Sequence, residues 1–257
     1  MSYLTPSSGF IDLGVDLGPL ACLRDMRSIG RGPDRIALAR LSEAAGADAI
    51  LIGMPDPDSA EARAELAQLR SALMIEVHLV LPFTDAAIEF AGTGVASSVR
   101  FIGAANDGWS GAPVLDIVTE FAAFRRVSQR LQDDEVKLVA SIAPTVEQVN
   151  AAAEAGIKCV ELRTANFSAA VDSDQTSAAL AALRAAADAA TRLRMQVQAG
   201  CGLDYDNLSA VARIETISQL NVGHAIATRA LFCGWARAVS EVKARLVQAR
   251  STARVTR

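Results

Sequence analysis

Along the chain, short apolar, β-branched runs alternate with longer stretches in which apolar residues recur every three or four positions. Strands have a period of two and amphipathic helices one of 3.6, so this alternation predicts strand following helix following strand. Eight strands are predicted: FIDLGVDL (10–17), DAILIGM (48–54), MIEVHLVL (74–81), SVRFIG (98–103), VKLVASIA (136–143), CVELRT (159–164), MQVQAG (195–200) and ISQLNVG (217–223). A helical stretch follows each one. PDRIALARLSEAAG carries proline near its start and glycine at its end, the expected punctuation of a helix. TVEQVNAAAEAG opens on Thr145 as N-cap, places Gln148 for a capping box and closes on Gly156.

Eight such units in 257 residues, with no break in composition, predict a single-domain (β/α)8 TIM barrel. The barrel is expected over residues 10–247, with 248–257 as a frayed basic tail. A doubly wound open sheet is the alternative, but the units are even and no GxGxxG follows the first strand. In a barrel, chemistry gathers where the strands end, and phosphate is often held after strands 7 and 8. Here those two ends read Gly200-Cys201-Gly202 and Gly223-His224. Gly223 and His224 close a strand and open a helix, where unsatisfied N–H groups and the helix dipole favour an anion. The bland alternative is a plain turn glycine followed by a solvated histidine.

Composition narrows the classes further. No apolar run approaches the length of a membrane span, and MSYLTPSSGF lacks the basic-then-apolar order of a signal peptide, so a cytoplasmic protein is expected. A net charge of −4 argues against nucleic acid as a partner. Cys22, Cys159, Cys201 and Cys233 show no CxxC spacing and read as reduced thiols. The only histidines, His78 and His224, lie far apart, so no metal site is expected. No organic cofactor is indicated.

EQVNAAAEAG, VELRT, QAGCGLDYDNL and LNVGHAIATRALFCG together carry a resemblance to the pyridoxine 5′-phosphate synthase family, running from about Gly14 to Val247. Members of that family are barrels that condense 1-deoxy-D-xylulose 5-phosphate with 3-amino-2-oxopropyl phosphate. The resemblance implies phosphate binding at Gly202, Gly223 and His224, and substrate contacts from Arg27 and Ser110. It assigns Glu161 to transition-state stabilisation and implies a homo-oligomer. Other family positions differ. The family's Asn-x-Asp-His after strand 1 is Asp16-Leu17-Gly18-Pro19, and its His-x-Arg after strand 2 is Gly53-Met54-Pro55. Its strand-3 glutamate base falls at Val80 and its strand-7 histidine acid at Cys201. One positioned acid or base contributes about 10²–10⁴ in rate, so roughly 10⁴ or more of the family's catalysis is expected to be gone.

Strand alternation puts Asp12 with Asp16, Glu76 and His78 with Val80, Glu161 with Arg163, and Gln196 with Gln198 on shared faces. If these face inward, the lumen is polar. The candidate proton-transfer groups are Glu161, Cys201, Asp16 and His78. Their structural alternatives are a Glu161–Arg163 ion pair, a Glu76–His78 hydrogen bond and an inert thiol. Cys201, between glycines near a helix start, is expected to have a depressed pKa. GAANDGWSGAP (103–113) is a candidate lid or an ordinary loop. Two functions follow: an enzyme acting on a phosphorylated small molecule by a reaction other than the family's, or a non-catalytic barrel binding such a metabolite or a protein partner. A genuine synthase with a substituted site is the third reading.

Overall fold

Strands β1 (Asp12–Asp16), β2 (Ala49–Gly53), β3 (Glu76–Pro82), β4 (Ser98–Ile102), β5 (Lys137–Ile142), β6 (Cys159–Arg163), β7 (Gln196–Gly200) and β8 (Gln219–Val222) run parallel in sequence order. They close through the pairing of β1 with β8, where Gly14 lies opposite Asn221. The structure is a computed structural model describing residues 10–20, 34–54, 59–93, 96–103 and 114–255. All eight predicted strands are present, with ends that agree with the predicted ones to within two residues.

Ten helices are defined among the described residues: α1 (Arg35–Ala44), α2 (Ala60–Ala72), α3 (Asp85–Ala91), α4 (Phe121–Asp133), α5 (Val146–Glu154), α6 (Ala165–Ser168), α7 (Ser173–Arg192), α8 (Leu208–Ala212), α9 (His224–Cys233) and α10 (Trp235–Val255). Asp34 caps α1, accepting from the Ile36 and Ala37 N–H groups. Thr145 caps α5 as expected, its side chain accepting from the Gln148 N–H. The second half of the capping box is absent, because the Gln148 amide instead accepts from Ile117 N–H and donates to Asp116. Tertiary partners have displaced a purely local bond.

The core lies between strands and helices. Ile50, Ile52, Leu79, Leu81, Val99, Phe101 and Leu162 are buried there, on the outward faces of their strands. The inward faces are different. His78, Ser98, Arg100, Ser141, Glu161, Gln198, Gln219 and Asn221 are all buried polar groups, where barrels of this kind are more commonly filled by Val, Ile and Leu. Buried polar groups are generally hydrogen-bonded. Here Arg100, Glu161, Gln198, Gln219 and Asn221 form one network, while His78 bonds Ser98 apart from it.

The expected frayed tail from 248 is corrected. Helix α10 continues to Val255, and both Ala249 and Arg250 are buried. The Arg250 guanidinium donates to the carbonyl oxygens of Glu215 at 3.0 Å and Ile217 at 2.6 Å, in the segment between α8 and β8. Its basic composition resembles a tail, but one face docks on the barrel. No helix among the described residues is long and apolar enough to cross a membrane.

Candidate active site at the C-terminal mouth of the barrel

A cavity of about 900 Å³ opens at the strands' C-terminal ends. Asp16, Gly53, Val80, Arg100, Glu161, Arg163 and Asn221 line its floor and walls. The β7–α8 segment from Cys201 to Asp206 and the face of α9 carrying His224, Thr228, Arg229 and Phe232 line its outer side. A smaller cleft of about 360 Å³ sits between α3 and α4, beside Phe83 and Thr84.

The floor is built on Arg100, whose side chain is only 2% exposed. Its Nη1 donates to Glu161 Oε1 and its Nη2 to Gln198 Oε1. Asn221 Nδ2 adds a second bond to Glu161 Oε1 at 2.8 Å. Glu161 is therefore paired with Arg100, not with Arg163, and the expected Glu161–Arg163 pair is corrected. Arg163 turns to the next strand, with Nη2 3.2 Å from Cys201 Sγ.

Asp16 lies at the end of β1 and accepts the Gly18 N–H at 2.7 Å. Burial raises its pKa to about 6; that hydrogen bond and Arg100 oppose the rise, and Glu161 adds to it. A carboxyl titrating near neutrality is suited to exchanging protons there.

Cys201 is exposed and has a positive φ of 82°, unusual for a residue with a side chain. Thr164 Oγ1 holds this turn, donating to the carbonyl oxygens of Gly200 and Cys201. The expected depressed thiol pKa is corrected: desolvation raises it, and Arg163 only partly opposes this. Cys201 is a thiol at neutral pH, able to give a proton but poorly activated as a nucleophile.

Gly202 follows with φ 89°, and a Cβ there would lie 2.9 Å from Ser168. Gly223 caps α9, and a Cβ there would lie 2.8 Å from the Asp16 carbonyl oxygen. His224 is the first residue of α9; its ring is exposed, with Nε2 3.4 Å from Thr228 Oγ1. The α9 start thus opens onto the cavity beside the Gly202 turn.

His78 does not belong to this cavity. It is fully buried, with Nδ1 2.7 Å from Ser98 Oγ and Nε2 3.1 Å from Glu76 Oε2. Burial lowers its pKa, so it is a neutral core histidine rather than a relocated base. The hydrogen bond from His78 brings the Glu76 pKa down to about 2. Arg27, Ser110, Pro55 and nearly all of the 103–113 loop lie outside the described residues.

Sequence reasoning missed Arg100, which is the centre of the floor. Its signal was alternation: Ser98, Arg100 and Ile102 share a strand face, and an arginine on an inward face needs an acid. No spacing rule links it to Glu161, 61 residues away.

Residues 13–248 match the family described as pyridoxal phosphate biosynthesis protein PdxJ. The chain belongs to that family. A pyridoxine 5′-phosphate synthase of Legionella pneumophila (strain Paris) is 33% identical over 241 residues, covering 93% of this chain and 96% of that protein. Solved structures confirm the fold at lower identity. The Amycolatopsis orientalis BexX/CysO complex has a TM-score of 0.63 at 13% identity, covering 96% of this chain and 92% of its own. The tryptophan synthase A-subunit of Pyrococcus furiosus has a TM-score of 0.58 at 15% identity, covering 93% and 96%. Among PdxJ-type barrels, then, this one carries Gly53, Val80 and Cys201 at positions lining its mouth.

Proposed function

We propose that this PdxJ-family barrel binds a phosphorylated small molecule, with the phosphate at Gly202, Gly223 and His224, and catalyses proton transfer on it. The reaction differs from the family's ring-forming condensation. The observation that carries this reading is Asp16, a carboxyl with a pKa of about 6 that lines the cavity wall beside Gly223. Asp16 exchanges a proton with the substrate near neutral pH, and the Cys201 thiol is placed to donate one. Glu161, fixed by Arg100 and Asn221, takes the transition-state-stabilising role that the resemblance assigns to it. Gly53 and Val80 supply no proton at the positions that the resemblance gives to two family bases.

A second reading, binding without turnover, is supported by the same Gly53 and Val80 and by the engagement of Glu161 Oε1 with both Arg100 and Asn221. In either case the resemblance carries self-association.

Two assays separate the readings. Pyridoxine 5′-phosphate formation from the family's two substrates is expected to be slower by about 10⁴ or more than in a member with the acid and bases intact. A panel of phosphorylated small molecules is expected to yield one that is turned over and is no longer turned over by Asp16→Asn. Synthase activity at the family's rate would overturn the altered reaction. Phosphate binding with no turnover across the panel would favour the second reading.

A further inference from the structure

Among the described residues, three arginines line the cavity: Arg100, Arg163 and Arg229. Two are neutralised by carboxylates, Arg100 by Glu161 and Arg229 by Glu241. Arg163 has no carboxylate partner among those residues. Among the described residues its one hydrogen bond runs from Nη2 to the Cys201 thiol, and its buried Nε has no partner. Desolvation keeps that thiol protonated, so Cys201 supplies no compensating charge. The guanidinium closes β6 at the cavity wall, on the same inward face as Glu161. Elsewhere Arg35 pairs with Glu65 and Arg130 with Glu89. A guanidinium in a concave, partly desolvated wall without a carboxylate carries an unmet preference for a planar, two-oxygen acceptor.

We propose that Arg163 receives a carboxylate of the ligand, which makes the ligand a phosphorylated carboxylic acid rather than a phosphorylated sugar or ketone. The proposal rests on the phosphate reading above for one end of the ligand and adds the group at the other. The two anions are held at the ends of the strands that flank β7, with the β7 end and Cys201 between them. The phosphate sits where α9 starts, after β8, and the carboxylate at the end of β6. Asp16, at the end of β1 beside Gly223, flanks the phosphate end of the ligand from the side of β8 opposite β6.

Matched ligands test this directly. Dissociation constants are measured for inorganic phosphate, ethyl phosphate, phosphoglycolate, glycerol 3-phosphate, 3-phosphoglycerate and phosphate-free glycerate, on the native protein, Arg163→Gln and Arg163→Lys. Native protein should prefer the better-fitting carboxylated phosphate over its uncharged counterpart by about tenfold or more. Arg163→Gln should lose that preference while binding ethyl phosphate and inorganic phosphate as before, and Arg163→Lys should restore part of it. Equal affinities across both matched pairs would overturn the proposal. So would a loss of inorganic phosphate binding in Arg163→Gln, which would make Arg163 part of the phosphate site instead. If the native protein binds neither inorganic nor ethyl phosphate, the phosphate reading fails. Glycerate then decides the arginine by itself: Arg163-dependent binding supports the carboxylate receptor, and its absence overturns it.

Discussion

Arg100 on β4 and Glu161 on β6 meet inside the barrel across the width of β5, and their ion pair forms the floor of the cavity. Neither residue can be removed singly without leaving a buried charge unmatched. Breaking such a pair from one side costs about 3–5 kcal/mol, whereas replacing both partners with apolar groups is often close to neutral. Arg100→Met should therefore lower Tm by roughly 6 °C or more, and Arg100→Met combined with Glu161→Met should recover most of the loss. A single variant as stable as the native chain would show that the pair contributes nothing to holding the lumen together.

Asp16 makes a prediction about pH. Its folded pKa of about 6 lies above its ordinary value of 3.8, so the native state holds this proton more tightly than the unfolded chain. Stability is then lost as pH rises from about 4 to about 6, and the loss persists above that range. Asp16→Asn keeps an oxygen for the Gly18 N–H but carries no charge. It should stabilise the protein at pH 8 and leave it nearly unchanged at pH 4. Denaturant melts at the two pH values check this. An equal effect at both would mean that Asp16 is not held in its acid form by the fold.

Gly223 is constrained by its neighbours. A methyl group there would meet the Asp16 carbonyl oxygen at 2.8 Å, pushing β1 and the start of α9 apart. Gly223→Ala should cost about 1–3 kcal/mol, the usual penalty of overpacking, and weaken phosphate binding as well. Wild-type stability together with intact binding would mean that the α9 start has more room than its position implies.

Arg250 anchors the last helix to the segment before β8. Hydrogen bonds to a charged group contribute about 1.5–3 kcal/mol, so Arg250→Ala should lower Tm by several degrees. Deleting residues 249–257 should do so too. An unchanged melting curve after the deletion would restore the frayed tail.

These cases show why the barrel was legible in sequence while half of its site was not. Strand and helix periods are local, so VELRT and MQVQAG announce their elements without reference to the rest of the chain. The α9 start was legible for the same reason, because Gly223 and His224 are adjacent. The Arg100 network was not, since Glu161, Gln198 and Asn221 reach it from three other strands. For His78 the sequence left open a proton-transfer role and a Glu76 hydrogen bond, and the structure has the Glu76 contact. The pKa expected of Cys201 was misjudged through its surroundings. One ring is sealed between Ser98 and Glu76, and one thiol is desolvated more than its arginine neighbour compensates. Arg250 was misjudged because a helix with one buried face can have the composition of a tail.

Phosphate binding at Gly202, Gly223 and His224 is measured by ligand protection. Inorganic phosphate is titrated into the native protein and His224→Ala while thermal unfolding is followed. A ligand at one hundred times its dissociation constant adds about 2.7 kcal/mol to stability, a rise of roughly 5–10 °C for a domain of this size. The native protein should show a saturable rise of that order, and His224→Ala should need about ten times more phosphate to reach it. A native melting temperature indifferent to phosphate, or one that rises identically in the variant, would contradict binding at this site.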